Sequence, residues 1–348
     1  MRDIRKFLLE YDGPPVRIME VCGTHTASVA HNGIPSLLSP KIRLISGPGC
    51  PVCVTVTDYI DRLIELSLTP GTVVATFGDM LRVTGSRRSL KDARADGAQV
   101  RMLYAPSDII PLAAAEPETT FVFAAVGFET TTAVYAALID DLITSGITNV
   151  KLLTSLKVMP PVINWVCREE GGIDGFLAPG HVSVITGSNL FVPIAEQYRI
   201  PFAVSGFEGE QILTALYALV KMIGAGDSRV VNLYPSAVTA EGNRTAQEMI
   251  AKYFEPCDAA WRGIGIVKDS GMQLKDEYKE FDAGSRGLWS DVTLHPDCRC
   301  GRVITGAMKP VGCPLFGKKC TPENPMGACM VSSEGSCHSY YVNRRNDL

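Results

Sequence analysis

The sequence predicts an α/β protein: two parallel-sheet, Rossmann-like domains followed by a loop-rich C-terminal domain that needs a staple. Three observations predict this. Short β-rich runs alternate with amphipathic stretches from residue 16 to about 235, the pattern of parallel strands linked by helices. Several runs are continuously apolar, as strands covered on both faces are. Six of the eleven cysteines fall between residue 298 and the end at 348, where periodicity is poor. A loop-rich segment of that length stays ordered only if something ties it together.

The strands expected in order are VRIMEVC (16–22), IRLIS (42–46), TVVATF (72–77), TFVFAAV (120–126), VKLLTSL (150–156), PFAVS (201–205) and RVVNLY (229–234). Helical patterns lie between them, clearest at 131–146 and 208–224, with one more at 241–254. At 348 residues the chain is long for one core, and two or three domains are expected. Boundaries at 1–140, 141–235 and 236–348 suit the composition, with discontinuity allowed. An echo supports two related halves: AAVGFETTTAVYAAL (124–138) and AVSGFEGEQILTALYAL (203–219) are each an apolar strand, Gly-Phe-Glu and a helix.

A hydrophobic fraction of 46% and a charged fraction of 20% are those of a soluble globular protein. A net charge of −4 leaves no basic footprint for nucleic acid. The opening MRDIRKFLLEYDGPP has no apolar signal-peptide core, and no apolar run reaches the roughly 18 residues of a membrane span. A cytoplasmic location is therefore expected. There thiols stay reduced, so clustered cysteines read as metal ligands or catalytic redox pairs before structural disulfides.

Four constellations carry chemistry. The first is Cys22-Gly-Thr-His-Thr26, directly after a strand, with Thr24 as expected N-cap of the next helix. A thiol facing a helix N-terminus has its pKa lowered by the dipole, and His25 is placed to be a second ligand or a proton carrier. A buried structural cysteine is the plain alternative. The second is Gly47-Pro-Gly-Cys50-Pro-Val-Cys53 at another strand-to-helix turn. It reads as a dithiol/disulfide or iron site, as half of a zinc site whose other half is missing, or as inert structure. Ligands in open α/β sheets bind at the carboxyl ends of strands, so Cys22 and the Cys50/Cys53 pair are expected to line one crevice. The third is Ala178-Pro-Gly-His181-Val-Ser183 after the apolar run GFLA, with Glu129 of GFETT similarly placed at a strand end. A satisfied structural histidine and a helix-start carboxylate are the alternatives.

The fourth is the array Cys298-x-Cys300-x12-Cys313-x6-Cys320-x8-Cys329-x7-Cys337. Tight zinc knuckles are missing. Cysteines spread over loops suit a [4Fe–4S] cluster, which takes four thiolates and leaves two spare; a disulfide framework is the alternative. Cys298 and Cys300 stand i, i+2, on one face of an extended segment, so one can ligate while the other stays beside the cluster as a redox thiol. Gly312-x4-Gly317-Lys318 imitates a P-loop, but Lys319 replaces the Mg²⁺-binding hydroxyl and no strand–helix context surrounds it.

At CGTHT (22–26), GPGCPVC (47–53), GFETT (127–131), PGHVS (179–183) and the cysteine array the chain resembles the HypD family of [NiFe]-hydrogenase maturation factors. The motifs span nearly the whole chain in family order. The resemblance implies a redox-active assembly scaffold, not a turnover enzyme, on which the Fe(CN)2(CO) moiety is built in complex with HypC. Cyanide would come from HypE as a thiocyanate, with HypF upstream. Cys22 would hold the nascent iron together with a cysteine of HypC, and His25, His181 and Glu129 would count among the catalytic residues. Cys298, Cys313, Cys320 and Cys337 would ligate a [4Fe–4S] cluster. Cys300 and Cys329 would form a cluster-proximal redox pair, with Cys50 and Cys53 the next dithiol in the relay. The competing class is a thiol–disulfide oxidoreductase like ferredoxin:thioredoxin reductase, which needs neither Cys22 nor His25.

Overall fold

The structure is a computed structural model that describes residues 1–292 and 295–343. It divides into two compact units. The first comprises Met1–Cys50, Met159–Arg244 and Arg299–Leu348; the second comprises Pro51–Val158 and Thr245–Cys298. The units are interleaved in sequence, unlike the consecutive segments 1–140, 141–235 and 236–348. Strand pairing is the reason, because it joins segments that are distant along the chain.

The first unit holds a five-stranded, all-parallel sheet made of β1 (Val16–Glu20), β2 (Ile42–Ser46), β7 (Gly175–Pro179), β8 (Phe202–Ser205) and β9 (Val230–Asn232). Their order is β2-β1-β7-β8-β9. β7 and β8 are buried along their whole length, which explains their continuously apolar sequence. Helices Arg2–Leu9, Gly23–His31 and Gly209–Ala225 pack on this sheet, and Leu8, Val29, Ile34, Leu213 and Leu216 close its core against Ile18 and Ala203. The apolar run GFLA proves to be the central strand β7.

The second unit holds β3 (Thr72–Thr76), β4 (Val100–Met102), β5 (Thr120–Gly127), β6 (Val150–Lys157), β10 (Phe254–Trp261) and β11 (Gly265–Leu274), ordered β10-β11-β6-β5-β3-β4. β3 to β6 are parallel, as expected. β10 and β11 form a hairpin that adds antiparallel to β6, pairing Gly271 with Lys157 and Met272 with Leu156. The sheet is therefore mixed: its parallel strands β3 to β6 carry the expected α/β fold, and the hairpin extends it antiparallel at one edge. The hairpin escapes a sequence reading because β11 is Lys-, Asp- and Gly-bearing and largely exposed in its first half. The core contains Phe121, Phe123, Tyr135, Leu142, Tyr253 and Phe254.

Candidate functional site

Four neighbouring strands of the first sheet release the chain at the same end. β2 leads into residues 47–50, β1 into 22–26, β7 into 180–183 and β8 into 206–208. β2 lies on one side of β1 and β7 on the other, so the winding reverses between β1 and β7. Such a switch point leaves a crevice outside the carboxyl ends. Cys22 follows β1 and His181 follows β7, and Cys22 Sγ lies 3.6 Å from His181 Nε2.

The crevice is tight. Gly49 lies directly on the Cys22 backbone: a Cβ there would stand 2.2 Å from the Cys22 nitrogen. The Gly23 amide donates to the Gly49 carbonyl at 2.9 Å. Likewise a Cβ on Gly180 would stand 2.4 Å from the Ser205 carbonyl oxygen. These contacts give the glycines of GPGC and PGHVS their physical meaning.

Cys22 is the N-cap of helix Gly23–His31, in extended conformation. Thr24, expected at that position, sits inside the helix, and its hydroxyl donates to Glu334 Oε1 at 2.7 Å. Burial pushes the Cys22 thiol up. The amides of His25 and Thr24 favour the thiolate, while the charges of Glu334 and Glu20 oppose it. The helix N-terminus thus acts in the expected sense but is outweighed by desolvation.

His25 is fully buried. Its Nε2 lies 3.0 Å from the Gly206 carbonyl oxygen, so Nε2 carries the proton and donates. Its Nδ1 is a buried lone pair with no hydrogen-bond partner among the described residues. Burial lowers its pKa to about 4, and burial lowers that of His181 as well. Phe207 holds both rings: it stacks on His181 at 5.0 Å and 19° and meets His25 at 4.8 Å. The imidazole beside the Cys22 sulfur is that of His181.

Two carboxyls complete the surroundings, and sequence reasoning missed both. Glu20, 2% exposed, accepts from the Thr26 hydroxyl and from the Cys22 amide, the latter at 3.2 Å. Burial raises its pKa to about 8. A charged residue inside the apolar run VRIMEVC was the available signal. Glu334 comes from the segment between Cys329 and Cys337 and carried no such signal. Phe207 was visible only as part of the GFE echo.

The C-terminal cysteines gather in the same unit. Cys313, Cys320, Cys329 and Cys337 are buried and Cys300 is half-buried. Cys329 is hydrogen-bonded to Cys300 and to Cys337. Cys337 also feels Cys313 and Cys320. The Cys337 amide donates to Cys329 Sγ at 3.2 Å and the Met326 amide to Cys320 Sγ at 3.3 Å. Among the described residues no group of three or more His, Cys, Asp or Glu forms a ready site for a single metal ion. The donor set, converging loop thiols with amides aimed at sulfur, does fit an iron–sulfur cluster chemically. Helix Ser336–Asn343 packs on helix Gly23–His31, and through Glu334 and Thr24 the cysteine-rich segment touches the turn that carries Cys22.

Cys50 and Cys53 are buried and disulfide-bonded, and Cys50 closes the first segment of the first unit. Cys298 is half-buried, its amide donating to the His295 carbonyl at 2.9 Å; it closes the second unit's sequence. Glu129 is in the second unit, buried, as the first residue of helix Glu129–Thr144.

Residues 1–344 match the profile described as HypD, hydrogenase formation hypA family. The chain belongs to the HypD family. The hydrogenase maturation factor HypD of Escherichia coli K12 is 40% identical over 339 residues, covering 96% of this chain and 90% of its own. That of Azotobacter vinelandii is 40% identical over 336 residues, 94% of this chain and 89% of its own. A putative hydrogenase expression/formation protein of Methanocaldococcus jannaschii is 39% identical over 332 residues, 95% and 92% of the two chains. The family assignment therefore rests on the whole chain and not on one motif. Among the described residues no helix is long and apolar enough to cross a membrane.

Proposed function

We propose that this HypD-family chain is a hydrogenase maturation factor that holds iron while cyanide and carbon monoxide are attached to it. It would work in complex with HypC and receive cyanide from HypE, itself supplied through HypF. The observation that carries the reading is the Cys22 site: a buried thiol at the switch point of a parallel sheet, 3.6 Å from the His181 ring. A thiol kept protonated by burial gives up its proton when a cation takes that place. His181 Nε2 is the ring nitrogen positioned to receive it, and the vacant Nδ1 lone pair of His25 offers a second acceptor in the same crevice. Soft thiolate ligation suits an iron whose other ligands are cyanide and carbon monoxide.

Releasing cyanide from a thiocyanate takes two electrons: R–S–CN + 2e⁻ + H⁺ gives R–SH + CN⁻. Cys300 and Cys329, which lie within hydrogen-bond reach of one another, supply two electrons and two protons on closing to a disulfide. Cys298, Cys313, Cys320 and Cys337 would hold a [4Fe–4S] cluster, which supplies electrons singly. Cys50 and Cys53 pass electron pairs by thiol–disulfide exchange.

The test is infrared spectroscopy of the full chain co-purified anaerobically with HypC. The intact protein should carry CN and CO bands and a brown cluster with about four irons and four sulfides. Cys22→Ser should keep the colour and the complex but lose the bands. Undiminished bands in Cys22→Ser would overturn the proposal and leave the ferredoxin:thioredoxin reductase-like reading in front.

A further inference from the structure

The second unit contains a group that the maturation chemistry does not use. Lys157 closes β6 and is 3% exposed. Its Nζ donates to Ser155 Oγ at 3.2 Å and lies 5.7 Å from the centre of the Trp261 ring. Among the described residues it makes no ion pair. Lysines are almost never this buried without a countercharge. One hydroxyl and one ring face offset only part of the desolvation.

Lys157 lines a cavity of about 330 Å³, the size of a small-ligand pocket. The cavity lies between the end of β6, the β10–β11 hairpin and the segment 285–289. Hydrogen bonds tie its walls together. Ser285 Oγ accepts from the Thr154 amide at 2.8 Å and donates to Asp282. Tyr59 donates to the Leu153 carbonyl at 2.7 Å. Trp289 and Met272 add apolar surface, and Arg286, paired with Asp276 at 2.6 Å, stands half-exposed at the edge. Cys257 also lines the cavity, but burial pushes its thiol up to about 11, so it does not provide the missing negative charge at neutral pH. Lys157, lowered by burial to about 8, stays largely charged there. Asp258 also lines the cavity, but it is exposed, accepts from the Asp269 amide at 3.0 Å and makes no ion pair with Lys157. A buried ammonium left without a paired carboxylate repels metal cations and favours an anion with an organic body.

We infer that this cavity binds a small organic anion, a carboxylate or a phosphate monoester on the order of a dozen heavy atoms, with its charge on Lys157. The site stands independently of the iron-scaffold reading. The experiment titrates the full chain with benzoate and, separately, with phenyl phosphate, reading intrinsic tryptophan fluorescence and the thermal midpoint. One or both should bind saturably, and the tighter probe distinguishes carboxylate from phosphate. Lys157→Arg should retain binding and Lys157→Met should weaken it about tenfold or more. The wild-type protein gives a second measurement: the bound probe should protect Lys157 from acetylation by an N-hydroxysuccinimide ester, mapped by mass spectrometry, while exposed lysines stay reactive. No saturable binding of either probe, binding unchanged in Lys157→Met, or no protection of Lys157 would each overturn the inference.

Discussion

Gly-Phe-Glu occurs once in each unit, after a parallel strand and before a helix, and the two copies do opposite things. At 127–129 the helix begins at Glu129 with Phe128 as N-cap. At 206–208 it begins one residue later, at Gly209, with Glu208 as N-cap. The glycines register the same shift: the space of the missing Cβ is filled by Thr131, four residues on, in one copy and by Gln211, five residues on, in the other. A one-residue offset turns each side chain about 100° around the new helix. Phe128 is therefore buried against Trp261 at 5.9 Å, and Glu129 is buried with it. Phe207 instead turns to the crevice, where it clasps His25 and His181, while Glu208 stays exposed as a cap. One tripeptide serves a core in one unit and a site in the other, and the helix start decides which.

Removing each ring in turn separates the two roles. Phe128→Ala should cost about 3–5 kcal/mol in denaturant unfolding, because it leaves a cavity beside Trp261. Phe207→Ala should cost only about 1–2 kcal/mol, since that ring is half-exposed, yet under the proposed function it should abolish most of the CN and CO infrared signal. Equal stability losses, or an unaffected signal in Phe207→Ala, would show that the two phenylalanines do the same job.

The next effect concerns the polar groups buried beneath the first unit's crevice. Glu20 holds its proton to about pH 8 when folded, against 4.5 for an ordinary glutamate. Between those values the unfolded chain has released a proton that the native state keeps, so stability should fall by a few kcal/mol as pH rises from about 5 to 8. Glu20→Gln should flatten that limb. His25 works at the other end. Its folded pKa of about 4 lies below the ordinary 6.5, so the unfolded chain gains a proton first and stability should fall as pH drops from 6.5 towards 4. A urea series across pH checks both, and a Glu20→Gln limb as steep as the wild type would refute the first.

Smaller effects follow at the helix starts. Thr24→Val should remove the hydrogen bond to Glu334 at a cost of about 1 kcal/mol. If the proposed [4Fe–4S] cluster is present, its spectrum should then report a loosened Cys22 turn while the iron count stays unchanged; a wild-type spectrum would argue against coupling through Glu334. Glu208→Ala should cost about 0.5 kcal/mol, as loss of an exposed cap does, with no change in infrared bands. If it lowers the bands, Glu208 belongs to the site and the contrast with Phe207 fails.

Much of the fold was legible. The apolar runs became β1, β2, β3, β5, β6, β8 and β9 within one or two residues, and the helical patterns at 131–146 and 208–224 became Glu129–Thr144 and Gly209–Ala225. β10 and β11 were not legible, since a hairpin covering an edge shows no strict alternation. In the site, Cys22 and His181 were visible from strand-end motifs, whereas the place of Thr24 inside the helix and the contact of His25 with the Gly206 carbonyl were not. A residue three positions along a helix faces wherever the neighbouring loops send it.

By itself the sequence determined most strands of the parallel ladders and the long helices between them, because periodicities of 2.0 and 3.6 are local properties of the backbone. It also determined which residues close the strands, because Gly, Pro and Cys at those turns are local chemistry. Only the tertiary structure decided that β7 inserts beside β1, bringing His181 to Cys22. It alone brought Glu334 from near the C-terminus onto Thr24, and it alone buried Glu20, His25 and Lys157 in places that shift their protonation. Those outcomes depend on strand order and desolvation, which are set by contacts between residues distant in the chain.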